Sequence, residues 1–227
     1  MSEGLLFVFA EPGDVPEADF HDWYDHEHAP ARLRVPGIRT GYRYRALDGV
    51  APGWLAWYEL DTDALRGPEY AVARRRSPRE QDVVRRLATL DRRVYELVDD
   101  HGAARPAAPV VVCVGLSTPD EPGLDAWYRQ EHVPLLHRLP GWYRTRRYRL
   151  AEGDGPAVLA FHEISGVDLF ATPEYREATG TPWREAVMKD VTRRERRVFG
   201  HHSTVAVPRS SRVPAPGSTS GAGAHRG

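Results

Sequence analysis

Trp23-Tyr24-Asp25-His26-Glu27-His28-Ala29-Pro30 is followed 104 positions later by Trp127-Tyr128-Arg129-Gln130-Glu131-His132-Val133-Pro134, so the chain carries one unit twice. The same offset takes Arg34, Pro36 and Gly37 onto Arg138, Pro140 and Gly141, and Arg43-Tyr44-Arg45 onto Arg147-Tyr148-Arg149. It also takes Leu55-Ala56 onto Leu159-Ala160 and Arg92-Arg93-Val94 onto Arg196-Arg197-Val198. One slip suffices: Pro68-Glu69-Tyr70 meets Pro173-Glu174-Tyr175 at an offset of 105. Such a period exceeds the roughly 20 to 50 residues of solenoid repeats and matches a small domain.

Within each unit the pattern is that of a split βαβ. Leu5-Leu6-Phe7-Val8-Phe9 reads as a strand, and Phe20, Trp23 and Tyr24 recur at helical spacing after Asp14 and Pro16, predicting a helix to about residue 28. Pro30 and Pro36-Gly37 then turn the chain. Residues 38–46 and 54–60 form a predicted hairpin, 63–90 are helical with Pro68 and Pro78 as punctuation, and 92–98 close the unit as a strand. The order β-α-β-β-α-β repeats from Val110, which is the ferredoxin-like arrangement. Leu5–Phe9 and Val110–Val114 do not alternate polar with apolar, so both of their faces need cover. Helices cover one face; the sheet of the sister unit covers the other. The expected fold is therefore α+β, two tandem ferredoxin-like βαββαβ repeats closing an intramolecular α+β barrel. Residues 1–102 form the first repeat, 103–109 a linker, 110–207 the second repeat, and the Pro-, Ser- and Gly-rich stretch 208–227 a disordered tail.

Composition narrows the function classes. A hydrophobic content of 41% and a charged content of 28% suit a globular protein, and a net charge of -1 provides no field to gather nucleic acid or anionic lipid. Cys113, in an apolar run, is a lone buried hydrophobe. No signal peptide or membrane-length apolar stretch is evident, so a cytoplasmic location is expected. Lys189 is the sole lysine, on the solvated side of a helix, and neither a P-loop nor a Schiff-base site is indicated. His26 and His28 point about 200° apart on a helix and cannot chelate one ion, so no metal is expected. The common cofactor signatures are absent, so no cofactor is expected, with haem left open.

The motif W-Y-x-x-E-H-x-P, followed by P-G and an R-Y strand, resembles the EthD-like family of the dimeric α+β barrel superfamily, in both repeats. That resemblance implies a pocket between helix and sheet for a small, often aromatic or polyketide-like molecule. The superfamily includes cofactor-free monooxygenases, isomerases, cyclases, dehydratases and haem-binding branches. Its members normally form the barrel from two chains, whereas here duplication would supply both halves. The expected state is a monomer with an internal pseudo-dimer, with a further homodimer left open.

Tyr24 and His28, and likewise Tyr128 and His132, are four apart and project a phenol and an imidazole to one place. Imidazole is the natural acid or base near neutral pH. The candidate catalytic set is His28, Tyr24 and Glu27 with His132, Tyr128 and Glu131. The ordinary alternatives are a helix-end histidine and a glutamate paired with Arg43 or Arg45, or with Arg147 or Arg149 in the second repeat. His26, Arg43, Tyr44, Trp57, Tyr58, Arg147, Tyr148 and His162 are candidate substrate contacts, with Trp57, Tyr58, Phe161 and His162 as an aromatic floor or, equally, as core. Copies that differ at Asp25-His26 against Arg129-Gln130 and at Tyr58 against His162 suggest one working pocket, with the first favoured. The function expected is His-mediated proton transfer (isomerisation, cyclisation or dehydration) on a small carbonyl, aromatic or polyketide-like compound, without a cofactor, in specialised metabolism or catabolism. A cofactor-free quinol-type monooxygenase and a non-catalytic ligand-binding or assembly protein are the alternatives.

Overall fold

A computed structural model describes residues 3–205 apart from residue 106; the tail expected at 208–227 lies outside the described residues. The first half runs β1 (Glu3–Glu11), α1 (Glu17–Trp23), a wide helical turn (Tyr24–His28), α2 (Ala29–Leu33), β2 (Ile38–Ala46), β3 (Trp54–Asp61), α3 (Pro68–Ala73), α4 (Pro78–Arg86) and β4 (Thr89–Gly102). The second half repeats it as β5 (Val110–Ser117), α5 (Glu121–Trp127), a second wide turn (Tyr128–His132), α6 (Val133–Leu136), β6 (Trp142–Glu152), β7 (Val158–Ile164), α7 (Pro173–Thr179), α8 (Pro182–Lys189) and β8 (Arg193–Val205).

The eight strands close into one antiparallel barrel in the order β1-β3-β2-β8-β5-β7-β6-β4. Two ferredoxin-like sheets meet at β2 with β8 and at β4 with β6, in registers that set Tyr44 opposite His201 and Glu96 opposite Arg149. The non-alternating strands are covered on both faces. Leu5, Phe7 and Phe9 point into the barrel with Tyr44, Trp57, Tyr95, Phe161 and Phe199, while Leu6, Val8 and Ala10 lie under the helices with Phe20, Trp23 and Tyr58. Each such aromatic or aliphatic side chain withdrawn from water contributes about 1.5 to 3 kcal/mol, which is why neither half can leave its inner face wet. The lumen also holds charge, but paired charge: Arg146 bonds Glu163 at 2.6 Å and Glu59 at 2.7 Å and lies over the Trp57 ring.

Two local features depart from the sequence expectation. The first helix does not end near residue 28 but continues helically through Pro30 to Leu33. Pro30 has no N–H to return to the carbonyl four residues back, and the chain absorbs the gap by widening the preceding turn, so that the Ala29 N–H reaches Tyr24 O. Val133 and Tyr128 repeat this before Pro134. Gly37 and Gly141 then take φ of +91° and +101° in the turns that follow, where a side chain would be strained. The fourth strand, expected over 92–98, spans Thr89–Gly102 because the sister half extends it. Asp99 and Asp100 face Arg147 and Arg146 across β4 and β6, and their carboxylates are bonded by Arg147 and Arg144.

Candidate active site

In the first half the widened turn delivers His28 to a cleft of about 580 Å³ between the sheet and α3–α4, walled by Leu6, Val8, Tyr58, Tyr70 and Glu80 among others. Ser77 caps α4 by accepting the Glu80 N–H at 3.0 Å, which fixes the first turn and aims the Glu80 side chain at the cleft. The His28 Nδ1 donates to Glu80 Oε1 at 2.9 Å. Buried Arg32 closes the group, with its guanidinium 3.4 Å from the same carboxylate oxygen and a second bond to the Ala73 carbonyl. Burial lowers the His28 pKa below the ordinary imidazole value, against the opposing pull of Glu80. Glu80 itself is held below the usual carboxylate range: burial alone would raise it, and His28 and Arg32 more than offset that. At neutral pH the pair is therefore a carboxylate and a neutral imidazole, with Nδ1 protonated and Nε2 left for a molecule in the cleft.

Behind His28 sit two phenols. Tyr24 and Tyr58 share a hydrogen bond of 3.2 Å, and the Tyr24 and His28 ring centroids are 5.0 Å apart. Burial pushes both phenols up, Tyr58 well above its ordinary value, so both remain neutral donors. Tyr58 lines the cleft; Tyr24 stands one bond behind it.

The second half uses the equivalent space differently. His132 donates to or accepts nothing ionic; its Nδ1 bonds the Ala178 carbonyl at 3.0 Å and its ring stacks on Trp127. Burial drives its pKa down to about 4. The positions of Arg32, Glu80 and Tyr58 are taken by Leu136, Arg184 and His162. His162 is buried against Thr145 at 3.0 Å, and that hydroxyl also meets Trp142 and His137. Leu136, Trp142, Ile164, Leu169 and Ala178 pack into an apolar cluster, with Tyr175 stacked on Trp142.

The remaining predicted residues are placed elsewhere. Glu27 accepts from Ser77 and Glu131 from Thr181 at 2.5 Å and from Trp127 at 3.0 Å. The expected ion pairs of these glutamates with strand arginines do not form. Each glutamate leans toward the start of α4 or α8, while Arg43 reaches Asp25 at 2.8 Å and His21 at 2.9 Å, and Arg147 reaches Asp99 and Asp125 at 2.9 Å. His26 is exposed and bonded to Asp22. Tyr44, Trp57 and Tyr148 lie inside the barrel, Tyr44 donating to the Ala108 carbonyl, so Trp57 and Tyr58 do not share one floor: successive strand residues face opposite ways. Glu80, Arg32, Tyr70, Arg74, Arg76 and Arg92 line or brace the cleft without having been singled out. Their signal was the mismatch between copies, Arg32 against Leu136 and Glu80 against Arg184. Among the described residues no cluster of three or more His, Cys, Asp or Glu could hold a metal ion.

No protein-family model matches the chain, and no curated protein matches it. Solved structures do. An anthrone oxidase-like protein superposes with a TM-score of 0.64 at 13% identity, covering 95% of this chain and 96% of that one. A candidate monooxygenase from Lactobacillus acidophilus gives 0.56 at 11% identity over 91% and 97%. A candidate chlorite dismutase gives 0.55 at 14% over 89% and 96%. The fold is that of the dimeric α+β barrel proteins. At these identities the likeness extends to the fold and no further. No helix among the described residues is long and apolar enough to cross a membrane.

Proposed function

We propose that the chain is a cofactor-independent enzyme that moves a proton on a small carbonyl or aromatic compound in the cleft of its first half, and that it arose by tandem duplication of an EthD-like unit. The observation that carries this is the His28–Glu80 bond of 2.9 Å at the edge of a cleft that also presents the Tyr58 phenol. Glu80 holds the ring in the tautomer whose Nε2 can accept a proton, and stabilises the imidazolium that forms. Either phenol can donate in the Tyr24–Tyr58 bond; in the arrangement where Tyr24 donates, the Tyr58 O–H is left to bond an enolate or phenolate oxygen as charge develops there. Isomerisation, cyclisation and dehydration all begin with this step. Glu27, a candidate catalytic group by sequence, serves in this reading only to fasten the turn to α4.

The cofactor-free monooxygenase is the second reading, favoured by the fold shared with the anthrone oxidase-like protein. It begins with the same proton loss, after which the carbanion itself reduces oxygen. Anthrone separates the two. Incubated in deuterated buffer without oxygen, it should exchange its C10 hydrogens in a His28-dependent way under either reading. In air, only the monooxygenase consumes one oxygen per anthrone to give anthraquinone and water. A His28→Gln variant that exchanges anthrone and a panel of related ketones as fast as the parent would remove both.

A further inference from the structure

The connection between α3 and α4 contains Arg74-Arg75-Arg76, and the first and third of these line the cleft with His28. Other cations of the wall are matched: Arg32 lies 3.4 Å from Glu80 and Arg92 lies 2.7 Å from Glu152. Among the described residues, Arg74 and Arg76 have no carboxylate within ion-pair distance, although Arg76 is near enough to Glu80 to help lower its pKa. Arg76 is near enough to His28 to add to the lowering of its pKa by burial. The same wall also carries apolar and aromatic side chains, Leu6, Val8, Tyr70 and Val84. The second half, whose imidazole is packed into a core, has only Gly180 and Thr181 between α7 and α8 and no arginine there.

We infer that the substrate carries a carboxylate on a flat apolar body, and that Arg74 and Arg76 bind the carboxylate while His28 faces the carbon acid. This deepens the proton-transfer reading and rests on it. A guanidinium presents paired donors that match the two oxygens of a carboxylate, and a cleft of this volume suits a body of two or three fused rings. Neutral relatives would leave Arg74 to water and Arg76 to water and the field of Glu80, and gain only the apolar contacts.

The test measures binding rather than turnover, on the full chain, by calorimetric titration with 2-naphthoate, its methyl ester and 2-naphthyl phosphate. Naphthoate should bind at least about tenfold more tightly than the ester, and the Arg74→Gln/Arg76→Gln double variant should lose about tenfold for the acid and nothing for the ester. Both arginines are exposed, so the variant is expected to fold, and its circular dichroism and melting temperature verify that. Equal binding of acid and ester, no binding of either at millimolar concentration, an unaffected double variant, or tighter binding of the phosphate would each overturn the inference. The His28→Gln protein keeps the two claims apart: it should still prefer the acid while losing deuterium exchange. In that protein a lost preference with exchange abolished sinks the carboxylate subsite alone, and a kept preference with exchange as fast as the parent's sinks the base alone.

Discussion

His28 and His132 occupy equivalent positions, end the same kind of widened turn and lie against equivalent tryptophans, with ring centroids 4.8 and 4.3 Å away. One is bonded to a carboxylate at the edge of a cleft; the other is bonded to a backbone carbonyl inside a filled core. The repeated motif therefore places an imidazole, and residues about fifty positions further along determine what it can do. Glu27 and Glu131 make the same point from the other side. Both bond the hydroxyl that caps the following helix, Ser77 or Thr181, so what the halves share at these glutamates is architecture.

Removing each imidazole should break the comparison most visibly. His28→Ala should lower the deuterium exchange rate by about a hundredfold or more, the usual worth of a positioned acid or base, whereas His132→Ala should stay within about twofold per folded molecule. Equal losses in the two variants would mean that both halves react.

The second test uses acid. His132 titrates at about 4 when folded and near 6.5 when unfolded, so between those values the unfolded chain binds the extra proton. Stability that is present above pH 6.5 is lost as the pH falls toward 4, by about 2 kcal/mol at pH 5. Buried His162, also lowered by burial, acts in the same direction. Urea midpoints at pH 7.5 and pH 5 should show the drop in the parent and a smaller one in His132→Leu. A parent midpoint indifferent to pH would contradict the buried, neutral state of that ring.

Glu80→Gln sharpens the contrast further. Deuterium exchange should slow by about tenfold, since the imidazolium loses its counter-charge. The acid limb of the pH–rate profile should move lower, because Glu80 raises the proton affinity that burial reduces in His28. An unchanged profile would assign Glu80 to packing only. The smallest effect is a similarity: Ser77→Ala and Thr181→Ala, each deleting a helix cap, should each cost about 1 kcal/mol by urea unfolding. A cost confined to one half would show that the caps are not equivalent.

The barrel was legible because two signals agreed: a long-period repeat, and Leu5–Phe9 and Val110–Val114 with no face left for water. The widened turn was not, since Pro30 reads locally as a helix stop and continues only because Ala29 bonds one residue further back. The length of the fourth strand depended on pairing with a strand of the other half, beyond any local pattern. At the site, His28, Tyr24 and Tyr58 were named from spacing and composition. Glu80 was missed because Ser77-Pro78-Arg79-Glu80 reads as a helix start, which it is; that the carboxylate also meets residue 28 follows from where α4 lands on the sheet. Trp57 and Tyr58 were grouped as neighbours although strand geometry sends them to opposite faces.

The closed ring of strands has a consequence for how the molecule behaves on dilution. A barrel assembled from separate subunits comes apart as concentration falls, whereas here a covalent tether keeps the two sheets at high effective concentration. The melting temperature should thus be the same at nanomolar and micromolar protein. Because each of the eight strands has a neighbour on each side, no unpaired edge remains among the described residues to recruit another chain into a fibril.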